Sequence, residues 1–372
     1  MASPCKKRRF VSHGGDVWSF SRKYNVPVEK VLDFSGPINH LGPSPKAVEA
    51  VKEYARLIRF YPDPNPMELK AEIAKYVGQG VDDSNIILGN GSIELIYMIA
   101  EVFPCSFKAV IPVPSFTEYE KAVLRVHGEA IFVQLPENFA LETDKIKEAI
   151  TDDTRMLFIC NPHSPSGTLF SKEAILDLTD FCQKKDVIIS VDENYIEFSD
   201  KCHQATMAGF VKKYENLFVI RSVTKFYGMP GIRFGYAIAA EKLIDELQTV
   251  RQPWSINTLA GYATLAAFRD TEFIENTKRT IAKERTEFAM MLSENGELHV
   301  FPSETDFLLV KILNKKLTST ALREKMSKEG ILIRDCSTFV GLDDSYFRVT
   351  VRASGENLKL VKTLNEILKG TN

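Results

Sequence analysis

The sequence predicts an α/β fold: a large domain built on a mainly parallel central sheet, followed by a smaller α+β C-terminal domain. Three observations predict it. Between residues 85 and 240, short apolar runs alternate with amphipathic stretches of helical period, the order that builds a parallel sheet layered with helices. Residues 187–191, Val-Ile-Ile-Ser-Val, form a run of mostly β-branched residues, as in strands buried on both faces. The chain has 372 residues, too many for one typical core.

The elements follow in order. Residues 1–45 read as an N-terminal arm packing with the small domain. In it a short helix opens after Ser12-His13-Gly14-Gly15-Asp16, and a strand over 31–35 ends at Gly36-Pro37. Pro43-Ser44-Pro45 marks a turn before a helix over 46–57. The three prolines of Tyr61-Pro62-Asp63-Pro64-Asn65-Pro66 exclude regular structure there. A helix follows over 67–77. Strands are expected over 85–88, 109–113, 130–135, 156–160, 187–191, 216–220 and 235–239. Helices are expected over 92–103, 117–127 and 171–184, the last capped by Ser171. One long helical stretch is expected from residue 240 across Pro253 to residue 295. The tail reads strand 307–312, helix 320–328, strands 331–334 and 346–351, helix 356–369. The large domain is placed at 46–270 and the small one at 271–372.

Composition narrows the function. Apolar residues make up 44% and charged residues 26%, with net charge −2. No overall field favours nucleic acid or acidic lipid. The basic cluster Lys6-Lys7-Arg8-Arg9 reads as a solvated arm, with no apolar stretch after it to make a secretory signal. No run approaches the length of a membrane span. The six cysteines, Cys5, Cys105, Cys160, Cys182, Cys202 and Cys336, have no repeated spacing, which fits reduced thiols and a cytoplasmic protein. Cys160 and His163 lack a second pair at zinc spacing, so no metal is expected.

One loop organises the chain. Ser222-Val223-Thr224-Lys225 leads into Gly228, Gly231 and Arg233, between two strands. A lysine amine attacks the aldehyde of pyridoxal phosphate and holds it as a Schiff base. A hydroxyl and a guanidinium both bind its phosphate. The alternative is a hairpin whose Lys225 and Arg233 face water. Gly89-Asn90-Gly91-Ser92, between a strand and a helix, reads as an anion cradle or as a tight turn with no ligand. Its dinucleotide reading lacks the third glycine, where Glu94 stands. Asp192 ends the most buried strand and suits a ligand at the carboxyl edge of the sheet. There a carboxylate keeps a pyridine nitrogen protonated, and Tyr195 is placed to donate to the ring's phenolate oxygen. Phe116 suits stacking on a flat ring, or ordinary core. Arg334 and Arg348 stand inside β-rich runs, where an arginine needs an anion: a substrate carboxylate or phosphate, or an internal carboxylate. Arg352 falls on the face of Arg348 by period two.

Together these residues resemble the fold-type I pyridoxal-phosphate enzymes of the aspartate aminotransferase superfamily, from His13 to the C-terminal helix. Within it the sequence is similar to histidinol-phosphate aminotransferases. It is closer still to the threonine-phosphate decarboxylases of cobalamin synthesis. The stretches that carry this are His13-Gly14-Gly15, Leu32-Asp33-Phe34-Ser35 with Ile38-Asn39, Gln252-Pro253-Trp254-Ser255-Ile256-Asn257, and Ile331-Leu332-Ile333-Arg334-Asp335-Cys336 followed by Gly341-Leu342-Asp343.

The resemblance implies roles. Lys225 carries the cofactor pyridoxal 5′-phosphate, Asp192 pairs with its ring nitrogen and Tyr195 contacts its phenolate oxygen. Gly91, Ser92, Ser222 and Arg233 bind its phosphate, and Phe116 covers its ring. Tyr61 reaches the cofactor of a neighbouring subunit, which implies a homodimer with shared sites. Arg348 holds a substrate carboxylate and Arg334 a substrate phosphate, with His13, Gly36 and Asn257 nearby. Three positions depart from the family. His163-Ser164-Pro165-Ser166-Gly167 replaces Asn-Asn-Pro-Thr-Gly, so Ser164 stands for the asparagine that bonds the phenolate oxygen. Asn194 replaces an alanine under the ring, and Pro37 replaces an asparagine. The implied activity is decarboxylation of O-phospho-L-threonine or O-phospho-L-serine, with histidinol-phosphate transamination as the alternative. The partner is a small phosphorylated amino acid, with no nucleic acid and no membrane.

Overall fold

The computed structural model describes residues 13–103 and 106–370. The basic cluster at residues 6–9, Cys5 and Cys105 lie outside them. In chain order the elements are α1 (Val17–Tyr24), β1 (Leu32–Asp33), α2 (Pro45–Tyr54), α3 (Met67–Val77), β2 (Ile86–Gly89), α4 (Ser92–Glu101), β3 (Lys108–Val113), α5 (Thr117–Arg125) and β4 (Glu129–Gln134). Then come α6 (Thr143–Ala149), β5 (Thr154–Cys160), α7 (Lys172–Lys184), β6 (Ile188–Asp192), α8 (Cys202–Ala205), β7 (Leu217–Ser222), β8 (Gly235–Ala239), α9 (Glu241–Val250), α10 (Thr258–Phe268) and α11 (Thr271–Ser293). The tail holds β9 (Leu298–Val300), β10 (Phe307–Ile312), α12 (Ser319–Lys328), β11 (Ile331–Leu332), β12 (Arg334–Asp335), β13 (Tyr346–Thr350) and α13 (Ser354–Lys369).

Among the described residues, seven strands form the central sheet in the order β2-β8-β7-β6-β5-β3-β4. Neighbours are parallel except around β8, which runs against both β2 and β7. The sheet is buried on both faces. Ile189, Val191, Leu217 and Val219 pack into one core with α7 and α10, and Met156, Phe158, Phe218 and Ile220 into another with α4, α5 and α9. Each such side chain contributes about 1.5–3 kcal/mol on burial, which is why these strands read as apolar runs. The chain order reverses between β3 and β5. The carboxyl ends of strands beside such a reversal open a crevice, and there the chain places Phe116, Ser164 and Asp192.

A second sheet, β12-β13-β10-β9, is antiparallel. It packs with Phe288, Leu322 and Leu360 from α11, α12 and α13. β1 pairs in parallel with β11, so residues 32–33 are tied to the chain's last third. No helix among the described residues is long and apolar enough to cross a membrane.

Three expectations are corrected. The stretch 240–295 is not one helix: it breaks at 251–257 and again at 269–270. Pro253 has no N–H to continue the ladder, Trp254 takes φ 56°, and Asn257 caps the next helix by accepting from Ala260 N at 2.8 Å. The run 331–334 is not one strand: β11 pairs with β1 and β12 with β13. Arg352 lies beyond β13. It bonds Glu356 at 3.0 Å and the carbonyl of Asp33 at 3.1 Å, so it does not share the setting of Arg348. Helix α6 and strand β9 carried too short a pattern to be read.

Candidate active site

Asp192 stands at the end of β6 and is 4% exposed. Tyr119 Oη donates to its Oδ2 at 2.7 Å, and the Asn194 backbone N–H donates to its Oδ1 at 3.0 Å. Tyr119 is fixed by stacking on Phe158, with centroids 4.8 Å apart. Burial raises the Asp192 pKa, against these donors and the Lys225 charge. Among the described residues no cation forms an ion pair with it. A fully buried carboxylate of this kind suits a protonated ring nitrogen.

Lys225 follows β7 in a loop that reverses into β8. Its Nζ lies 5.9 Å from the centroid of the Tyr195 ring. Tyr195 is buried and meets Phe307 edge-on at 5.1 Å. Burial pushes the Lys225 pKa down. Asp306 and Asp192 oppose that, while Arg348 and Arg233 add to it.

Around Gly91 the chain leaves room for an anion. Gly91 has φ +80°, a conformation that L side chains rarely adopt. A methyl group there would collide with Arg233 Nη2, and one on Gly235 would collide with Ser92 N. Arg233 is therefore held against the N-terminus of α4, whose free N–H groups and dipole attract negative charge. Asn194 Nδ2 donates to Ser92 Oγ at 3.0 Å, and Ser222 Oγ accepts from Thr224 N at 3.4 Å. We predict that Gly91→Ala raises the Kd for pyridoxal phosphate about 10- to 100-fold, the loss of one or two charged hydrogen bonds. Fluorescence titration of the cofactor-free variant measures it.

Arg334 and Arg348 are directly opposite each other on β12 and β13 and are each 5% exposed. Arg348 Nη1 donates to Ser164 Oγ at 3.1 Å, and its guanidinium lies 4.7 Å from the Phe307 ring centroid. Arg334 Nη2 donates to Thr338 Oγ1 at 2.9 Å and lies 5.1 Å from Phe339. Burial lowers the Arg334 pKa to about 10, well above neutrality. His13 Nε2 lies 2.7 Å from Glu118 Oε1, and its ring is 5.7 Å from that of Phe116. His13, Ser35 and Arg334 line one cavity of about 140 Å³. Gly36 lies beside it, where a β-carbon would press on Gly15 and Asp33.

Some expected residues are used otherwise. Asn257 caps α10 with its oxygen and donates its Nδ2 to the Ile232 carbonyl at 3.1 Å. Ser164 holds Arg348, while Asn194 turns to Ser92. Tyr61 is 80% exposed and its ring meets that of Trp254, centroids 4.8 Å apart. Sequence reasoning missed Tyr119, whose signal was its place one helical turn after Pro114-Ser115-Phe116. It also missed Asp306, which carried no motif.

The family model for class I and II aminotransferases matches residues 29–367. The chain belongs to this family. A protein of Caldanaerobacter subterraneus named "Putative threonine-phosphate decarboxylase" is 37% identical, over 96% of this chain and 94% of that one. The histidinol-phosphate aminotransferase of Clostridium acetobutylicum superposes with a TM-score of 0.84 at 32% identity, covering 91% of this chain and all of that one. The L-threonine-O-3-phosphate decarboxylase of Porphyromonas gingivalis gives 0.81 at 28%, covering the same shares. This class I and II aminotransferase chain has the fold-type I architecture of the superfamily and uses pyridoxal 5′-phosphate. Asp192, which has hydrogen bonds but no ion pair among the described residues, the Gly91 cradle and the desolvated lysine fit that cofactor.

Proposed function

We propose that the protein removes the carboxylate of O-phospho-L-threonine, or of O-phospho-L-serine, giving an amino-alcohol phosphate of the kind used in cobalamin assembly. The observation that carries this reading is the cross-strand pair of buried arginines, Arg334 opposite Arg348. Directly opposed residues stand about 5 Å apart. Two buried arginines projecting from such neighbouring backbone positions suit one small molecule that carries both a carboxylate and a phosphate. The likeness to threonine-phosphate decarboxylases supports it. The second reading, transamination of histidinol phosphate, is supported by the aminotransferase structure.

When bound, the cofactor supplies an aldehyde for the lysine and a ring that takes up electrons from the substrate's Cα. The chain's residues do the rest. Arg348 grips the carboxylate, held by Ser164 and backed by Phe307. Arg334 and His13 take the phosphate in their shared cavity. Asp192 faces the ring nitrogen, Tyr195 the phenolate oxygen, and Gly91, Ser92, Ser222 and Arg233 the cofactor phosphate. Phe116, beside His13 and Tyr119, covers the ring. The Cα–carboxylate bond breaks, carbon dioxide leaves, and Lys225 returns one proton to Cα. The exposed Tyr61, Phe60 and Ile58 belong to a homodimer interface in this reading. The described part of the arm, residues 13–45, then packs with the part from 271 onward beside the site.

The test is carboxyl-labelled O-phospho-L-threonine with the holoenzyme, beside histidinol phosphate plus 2-oxoglutarate. Labelled carbon dioxide without glutamate is the expected result; glutamate without carbon dioxide overturns it. Arg334→Gln is expected to lower kcat/KM for the phosphorylated substrate about 10- to 100-fold. On unphosphorylated threonine the same change should have little effect.

A further inference from the structure

Asp306 stands directly before β10 and is fully buried, yet neither of its carboxylate oxygens has a hydrogen-bond partner among the described residues. An unpartnered carboxylate away from water is among the least favourable placements in a protein. The Asp306 carbonyl accepts from Val351 N at 2.7 Å, and its own backbone N–H favours the carboxylate anion. Its neighbours belong to the active site. The next residue, Phe307, packs edge-on to Tyr195 at 5.1 Å and lies under the Arg348 guanidinium at 4.7 Å. Lys225 Nζ lies over that same Tyr195 ring. Arg348 Nε likewise has no hydrogen-bond partner among the described residues. Behind, Arg285 donates to the carbonyl of Thr305 at 3.0 Å.

We propose that Asp306 is a positioning residue acting through Lys225, a fixed counter-charge that keeps the proton on the lysine nitrogen after the substrate has released it. The groups facing Lys225 are two carboxylates, Asp306 and Asp192, two guanidiniums, Arg348 and Arg233, and the Tyr195 ring. Asp192 is already engaged by Tyr119 and Asn194, and Asp306 is not. Among the charges that favour protonated Lys225, Asp306 ranks ahead of Asp192. Burial, the largest influence, pushes the Asp306 pKa up to about 7, and Lys225, Arg348 and Arg285 oppose it by favouring the anion. Burial and Arg348 would otherwise strip Lys225 of the proton that it must return to Cα. The inference rests on Lys225 as the cofactor lysine and on the proposed decarboxylation, in which Lys225 gives a proton to Cα.

Asp306→Asn keeps the shape and removes the charge. In the cofactor-free protein, the pH midpoint for modification of Lys225 by trinitrobenzenesulfonate, read by peptide mass spectrometry, is expected to fall by about one unit. The visible absorbance of the holoenzyme should titrate at lower pH as well. Asp306→Glu should return both midpoints toward the wild type. Asp306→Asn removes a buried carboxylate but also leaves Lys225 and Arg348 without its field, so the unfolding midpoint of each variant is measured to show that it is folded. Asp306→Ser serves as a second neutral variant. Midpoints that stay put or rise in folded neutral variants overturn the proposal. Because the labelling needs no substrate, its result stands apart from the decarboxylation assay.

Discussion

Lys225→Met is expected to lower turnover by at least about 10⁴-fold, because it removes both the covalent anchor and the proton carrier at once. Steady-state assay of the reconstituted variant measures it. The visible band of the lysine-bound cofactor should be absent, although the phosphate cradle around Gly91, Ser92 and Arg233 is untouched. Stability should move the other way. Burial lowers the Lys225 pKa, so the folded chain gives up this proton at lower pH than the unfolded chain. Below the folded value both states hold it, and the cost of burying the charge is fully present. Between the folded value and about 10.4, the unfolded chain binds more protons, so wild-type stability rises with pH. The cofactor-free Lys225→Met protein lacks this cost. Its advantage in urea unfolding should be constant near neutrality and shrink through that window. A difference that does not change with pH would mean that Lys225 is not held in a desolvated site.

What the sequence reveals and what it hides divide along the range of the interactions. The carboxyl-edge position of Asp192 and the loop around Lys225 are local patterns, set by a buried strand and by glycines with few alternatives. Helix α7 follows equally from a local cap, Ser171 Oγ accepting from Ala174 N at 3.2 Å. Ser164 illustrates the limit. Its replacement of an asparagine is visible in the sequence, but its bond to Arg348 spans 184 positions and follows only from the docking of two sheets. Asp306 lies in no motif and becomes a site residue only when β10 is laid beside β13. The division of residues 331–335 between two sheets has the same origin. β1 supplies the partner for β11 from the far end of the chain, and no periodicity within the segment records that.

The largest stability effect is expected at Arg221→Met. Along β6 and β7 side chains alternate between faces. Asp192 and Ser222 therefore share the face proposed for the cofactor, while Glu193 and Arg221 point away. Arg221 Nε and Nη2 donate to Glu193 Oε2 at 3.0 and 2.8 Å, and Nη2 also donates to Thr206 Oγ1 at 2.7 Å. Glu193 is fully buried and takes a further bond from Met207 N at 2.7 Å. Glu197, 4.0 Å away, shares the same guanidinium and is pushed up to about 7 by burial. Removing Arg221 leaves the Glu193 charge without its cation, a loss of about 3–5 kcal/mol, read as a lower urea midpoint of the cofactor-free protein. Arg221→Met combined with Glu193→Gln should recover much of it, since Glu193 then carries no charge and Glu197, already pushed up to about 7 by burial, takes up a proton. Loss in the single variant without recovery in the double would show that packing, and not charge, is what the pair contributes. The pair joins the ends of β6 and β7 one residue from Asp192 and Ser222. Cofactor affinity should therefore follow the same order: weakest in Arg221→Met and partly restored in the double variant.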